Sequence, residues 1–130
     1  MRFFISLSLI LLIAVGCSLE GATGQEQQEL DLKVLSNLGD DINVLIESSV
    51  CTDETECAFI AFGTKPCGGP WGYLVYSNSI DTDELIEKVE RFNQLQNTYN
   101  LRYNIISDCS VVSPPDTLIC EDNKCKAVYN

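Results

Sequence analysis

The chain has 130 residues, seven cysteines and no histidine, with 8 basic against 19 acidic side chains for a net charge of −11. That length holds one compact domain once tails are removed, and 45% hydrophobic content supports a packed core. The acidic balance argues against nucleic-acid partners, whose affinity comes from Lys and Arg on phosphate, and against basic-patch adhesion to an anionic bilayer. Without histidine there is no Ser-His-Asp triad, no Cys-His pair and no His-ligated metal.

Residues 1–16 carry one positive charge at Arg2 followed by an apolar run from Phe3 to Val15. The run is shorter than the roughly 20 residues a membrane-spanning helix needs, and charge, short apolar stretch and small residues in that order form an export signal. Ala14-Val15-Gly16-Cys17 stands where the run ends and resembles a bacterial lipobox. That resemblance implies a diacylglycerol on the sulfur of Cys17, which becomes the first residue of the mature chain. The alternative is cleavage after the small-x-small site Ala22-Thr23-Gly24, releasing a soluble chain that begins at Gln25. No N-x-S/T acceptor occurs, in keeping with a bacterial origin.

Residues 17–29 are polar apart from Leu19, and are expected to form a lipid-anchored flexible tether to a cysteine-rich domain over 30–130. Leu32, Leu35, Leu38, Ile42 and Leu45 then fall at helical spacing. Gly39 interrupts them and Asp40 can cap a second segment, so one bent helix or two short ones fit. Residues 58–62 and 72–77 are short aromatic and β-branched runs that predict strands, joined by a Gly- and Pro-rich loop over 63–70. Over 82–100, Leu85, Val89, Phe92, Leu95 and Tyr99 line one face of a helix. Asp81 and Glu84 form a capping-box-like start, and Glu84–Lys88 and Glu87–Arg91 stand at favourable i,i+4 spacing with the acid N-terminal. A strand over 103–107 is predicted next, then a loop at Ser113-Pro114-Pro115-Asp116 and a hairpin turning at Asp122-Asn123. The expected fold is a small α+β domain: an N-terminal helix, one long helix, and a mostly antiparallel sheet of four or five strands covered by helices on one face.

Cys51, Cys57, Cys67, Cys109, Cys120 and Cys125 are an even set in an exported chain, which favours three disulfides of undetermined connectivity. Their spacing does not follow the paired C-x₂-C pattern of zinc sites or a C-x-x-C redox motif, so neither metal nor cofactor is expected. Cys120 and Cys125 face each other if the hairpin turn has two residues. A bridge between them closes a tiny loop, so partners on other strands are preferred.

Lys65-Pro66-Cys67-Gly68-Gly69-Pro70-Trp71 is the most distinctive segment. As a rigid loop it can present a binding strand, with Lys65, Trp71 and Tyr73 as candidate contacts and Lys65 suited to an acidic protease pocket. Pro66 after Lys65 opposes the inhibitor reading, and a tight turn between strands is the simpler account. Tyr73 and Val75 on one face of 72–77, and Leu74 and Tyr76 on the other, suit a strand buried on both sides, with Trp71 the exposed exception. The acidic runs 53–56 and 81–84 do not fit a calcium-binding EF-hand loop and are expected to be solvated or helix-capping. Carboxylates are too plentiful for a glycosidase pair to stand out.

Cys51-x₅-Cys57, Phe62-Gly63-x-Lys65-Pro66-Cys67-Gly68-Gly69-Pro70-x-x-Tyr73-x-x-Tyr76-Ser77 and Cys120-x₄-Cys125-Lys126 together resemble small uncharacterised bacterial lipoproteins with a Cys-Gly-Gly-Pro segment. The resemblance covers most of 40–130 and implies a place in the cell envelope, with no activity attached. The expectation is a non-enzymatic, membrane-anchored envelope lipoprotein whose domain is structural or binds an unknown protein or peptide. The alternative is a secreted protease inhibitor using the loop around Lys65.

Overall fold

The computed structural model describes residues 23–130. In chain order these form helix α1 (Gly24–Ser48), a 3₁₀ turn (Glu54–Glu56), strands β1 (Cys57–Phe62) and β2 (Gly72–Ser77), helix α2 (Thr82–Arg102), and strands β3 (Thr117–Glu121) and β4 (Lys124–Val128). The signal segment and Cys17 lie outside the described residues.

Helix α1 starts earlier than hydrophobic periodicity suggests. Thr23 and Glu26 form a reciprocal capping box: the Thr23 N–H donates to Glu26 Oε2 at 2.7 Å, and the Glu26 N–H donates to Thr23 Oγ1 at 3.4 Å. The polar residues from Gly24 to Glu29 are therefore helical, which corrects the tether expected over 17–29 across that span. Tertiary bonds hold them there, for Gln28 Nε2 donates to the Tyr99 hydroxyl at 2.9 Å. The helix runs unbroken through Gly39, where a Cβ would meet the Phe92 ring at 3.6 Å, an ordinary contact.

Strands β1 and β2 pair antiparallel with Cys57 opposite Ser77 and Phe62 opposite Gly72. Their alternation divides the residues between two faces. Ala58, Ile60, Phe62, Leu74 and Tyr76 join a core with Leu35 and Ile42 of α1 and Leu85, Val89 and Phe92 of α2. Ile42, Leu85 and Val89 have no exposed surface, and the Phe62 and Phe92 rings stack at 4.5 Å. Lys88 on α2 adds ion pairs to Asp41 of α1 at 3.7 Å and to Glu84 at 3.5 Å. The opposite face of the ribbon carries Cys57, Phe59, Ala61, Tyr73 and Val75.

The strand expected over 103–107 does not form. Helix α2 ends with Asn104 in the left-handed region at φ 50°, and the Ile105 N–H reaches back to the Asn100 carbonyl at 3.0 Å, the 6→1 bond of a Schellman-type end. The chain then runs without regular structure to Asp116. The predicted hairpin does form: β3 and β4 pair with Cys120 opposite Cys125, and Asp122 and Asn123 both take positive φ, as a type I′ turn requires.

The result is an α+β domain with two two-stranded antiparallel sheets, rather than one sheet of four or five strands. Disulfides supply the joints that a continuous ladder would have supplied. Cys51–Cys120 and Cys57–Cys125 tie the hairpin to the start of the β1–β2 ribbon, and Cys67–Cys109 ties the β1–β2 loop to the segment after α2. Their Cα separations of 6.0, 5.6 and 5.6 Å are ordinary for such bridges. The preference for partners on other elements over a Cys120–Cys125 bridge holds.

Candidate functional site

The loop between β1 and β2 is built around three glycines with positive φ, Gly63 at 77°, Gly68 at 93° and Gly69 at 79°. Gly63 is needed for space as well as for φ: a Cβ there would stand 2.7 Å from Trp71 Cδ1. The turn closes on itself where the Lys65 N–H donates to the Gly69 carbonyl and the Gly68 N–H to the Lys65 carbonyl, both at 2.9 Å.

Amide side chains of α2 hold the entry to this loop. Asn93 Oδ1 accepts from the Gly63 N–H at 2.7 Å, and Gln96 Oε1 accepts from the Thr64 N–H at 2.5 Å. Asn100 Nδ2 donates to the Thr64 carbonyl at 2.7 Å, while Thr64 Oγ1 donates to the Asn93 carbonyl at 3.0 Å. Sequence reasoning passes over Asn93, Gln96 and Asn100. Their 3- and 4-residue spacing on one flank of the apolar stripe is the signal that could have found them.

Lys65 does not reach outward. It is 4% exposed, and its Nζ donates to Asp108 Oδ1 at 3.1 Å, to the Ser110 carbonyl at 2.8 Å and to Ser110 Oγ at 3.0 Å. The same ammonium lies 5.0 Å from the centre of the Trp71 ring, a cation–π arrangement. Hydrogen bonds from Lys65 and then Ser110, with the Lys65 charge, hold the Asp108 carboxyl below its ordinary range. Lys65 is thus a clamp between the loop and the irregular segment, alongside Cys67–Cys109. Lys65, expected as a candidate contact of a protease pocket, has its ammonium turned into its own domain, where Asp108 and Ser110 satisfy its hydrogen bonds.

Trp71 remains 45% exposed over this clamp, as expected of it. Tyr73 is half-buried and packs edge-on against Phe59 at 5.5 Å. Leu74 and Tyr76 face the helix core while Tyr73 and Val75 are half-buried on the other side, so β2 is covered on both faces, more completely on the helix side. Beside the loop, Cys67, Gly68, Gly69, Pro70, Cys109 and Ser110 border a shallow hollow of about 160 Å³. It carries no charged lining residue, so it offers shape and backbone rather than chemistry.

A larger groove of about 260 Å³ runs between α1 and α2, lined by Asp31, Val34, Leu35, Leu95, Tyr99 and Arg102 among others. Its carboxylate is engaged: Asp31 accepts from the Tyr103 hydroxyl at 2.8 Å, from Gln27 at 2.9 Å and from Arg102 at 2.5 Å. The Tyr103 and Gln27 hydrogen bonds hold Asp31 below the usual carboxylate range despite partial desolvation. This arrangement ties the two helix ends together.

The acidic runs also act locally. Asp53 caps the 3₁₀ turn by accepting from the Thr55 N–H at 2.8 Å, Glu56 accepts from the Thr52 N–H at 2.7 Å, and Asp81 caps α2 by accepting from the Glu84 N–H at 3.0 Å. Among the described residues, the one group of three or more close metal-ligating side chains is Cys51, Cys57 and Cys125, all of them disulfide-bonded here. Comparison with protein-family models, with curated proteins and with solved structures finds no match to this chain.

Proposed function

We propose that this chain is a non-enzymatic cell-envelope lipoprotein that presents a disulfide-stapled α+β domain from a lipid on Cys17. The observation that carries the proposal is the division of the seven cysteines. Six are used in three bridges inside the domain, and the seventh stands directly after Ala14-Val15-Gly16 at the end of an apolar export segment. A cysteine set apart from the disulfide framework at that position has a chemical use as an acylation site. Among the described residues no helix is long and apolar enough to cross a membrane. Each buried CH₂ of an acyl chain contributes roughly 0.8 kcal/mol, which makes two or three chains a firm anchor.

With α1 starting at Gly24, the link from Cys17 is short, at most about 25 Å when extended. The domain therefore sits close to the bilayer, and its exposed Trp71 and the Phe59–Tyr73 pair are the surface through which it meets a protein or peptide. Detergent phase partitioning of the protein from cells tests the reading. The wild type is expected in the detergent phase and Cys17→Ala in the aqueous phase. Wild type in the aqueous phase, cleaved before Gln25, would end the anchor claim and leave a secreted soluble domain.

A further inference from the structure

The two bridges at the hairpin are one cluster. The sulfurs of Cys51, Cys57 and Cys125 all lie within 4.8 Å of one another. Cys120 is bonded to Cys51 and stands across the β3–β4 ladder from Cys125, so four sulfurs converge at the seam between the hairpin and the rest of the domain. In a tetrahedral tetrathiolate site with Zn–S near 2.3 Å, neighbouring sulfurs are about 3.8 Å apart. Two of these sulfurs, those of Cys57 and Cys125, are bonded to each other, so reaching that geometry means opening each bridge and parting its sulfurs by about 2 Å, which side-chain rotation allows.

Bonds other than the disulfides also position this cluster. The β1–β2 and β3–β4 ladders fix Cys57, Cys120 and Cys125, and the Cys51 N–H donates to the Asn123 carbonyl of the hairpin turn at 3.1 Å. Lys124, next to Cys125, donates to the Glu47 and Ser49 carbonyls at 2.6 and 2.7 Å. These bonds tie the hairpin to the end of α1, two residues before Cys51. Cys51 is 2% exposed and the other three cysteines are half-buried, so water is largely kept away.

We propose that Cys51, Cys57, Cys120 and Cys125 form a redox-gated site for one soft divalent cation of the zinc class. A dithiol reductant opens the two bridges, each taking up two electrons and two protons while the dithiol closes to its own disulfide. The four thiols then bind the ion as thiolates and release four protons to solvent. Reoxidation by a disulfide-bearing oxidant re-forms the bridges and expels the ion. Cys67–Cys109 is a separate bridge in the β1–β2 loop and takes no part. Tertiary structure alone assembles the site, since the intervals between these cysteines follow no C-x₂-C pattern.

The test uses the full chain, reduced with a phosphine in metal-free buffer and then titrated with cadmium(II) and, separately, zinc(II). Thiolate-to-cadmium charge-transfer absorbance, native mass spectrometry and far-ultraviolet circular dichroism are the readouts. One ion per chain is expected in the wild type, with recovery of helical signal on metal addition. The same stoichiometry is expected in Cys67→Ala/Cys109→Ala. Uptake should fall to background in Cys57→Ala/Cys125→Ala and in the oxidised wild type. No stoichiometric ion on the reduced wild type would overturn the proposal, as would equal uptake without Cys57 and Cys125.

Discussion

Replacing Cys57 and Cys125 with alanine removes one of two bridges that close almost the same loop. Cys51–Cys120 spans 69 residues and Cys57–Cys125 spans 68, so either bridge alone constrains the unfolded chain by about 4 kcal/mol in the chain-entropy treatment. Once one of them is in place, the other closes only the small ring through positions 51 to 57 and 120 to 125. That ring of about a dozen residues is worth about 3 kcal/mol. Each single removal is therefore expected to cost about 3 kcal/mol, and removal of both about 7 kcal/mol. The excess of about 1 kcal/mol over additivity is the signature of nested loops. Urea titration followed by circular dichroism measures it, with the midpoint falling by roughly 1–3 M in each single-bridge variant. The double variant should be unfolded or nearly so, because small domains have only about 5–15 kcal/mol to lose. A double variant no less stable than either single one would refute the reasoning.

Core, loop and pH perturbations have separate expected outcomes. Leu85→Ala, at a position with no exposed surface between α1 and the β1–β2 ribbon, should cost about 2–5 kcal/mol in the same titration. Leu101→Ala, at a position 73% exposed, should stay within about 0.5 kcal/mol. Gly63→Ala combines a left-handed φ with a Cβ 2.7 Å from Trp71 Cδ1, and a drop of about 2–4 kcal/mol in thermal melts is expected. Gly68→Ala, with an equally positive φ but nothing within 4 Å, should cost about 1–2 kcal/mol. Asp108, Asp31 and Asp53 are all held below their ordinary values by hydrogen bonds. Carboxyls depressed in the folded state add stability above the unfolded value near pH 4 and lose it as pH falls through the folded value. The urea midpoint should thus be level from about pH 7 to 5 and fall toward pH 2, with a shallower fall in Asp108→Asn.

Helices and hairpin were legible in the sequence because local rules decide them. The stripe from Leu85 to Tyr99 forms the inner face of α2, and Asp122-Asn123 makes the turn that two positive-φ residues favour. The strands at 58–62 and 72–77 were legible too, but the arrangement of the strands in two separate sheets was not. The expected breadth of a single sheet rested on a strand at 103–107, where Asn104 ends the helix in a left-handed cap and Lys65 draws Asp108 and Ser110 into a clamp 43 and 45 residues distant in sequence. No local pattern encodes a lysine turned inward onto a serine carbonyl. The same holds at the start of α1. The polar run from Gly24 to Glu29 lacks an apolar period but is helical, because Thr23 and Glu26 cap it and Gln28 bonds to Tyr99 on α2. Which cysteines pair was equally hidden, since the choice depends on how the hairpin lies against β1.

The division of seven cysteines into one lipid site and six paired thiols is read most directly by intact mass. Protein extracted from membranes would be weighed before and after complete reduction. The account predicts a chain beginning at Cys17, heavier by a diacylglyceryl group with or without an added acyl chain, that gains six hydrogens on reduction. A chain beginning at Gln25 with no acyl mass, or a gain of fewer than six hydrogens, would contradict it.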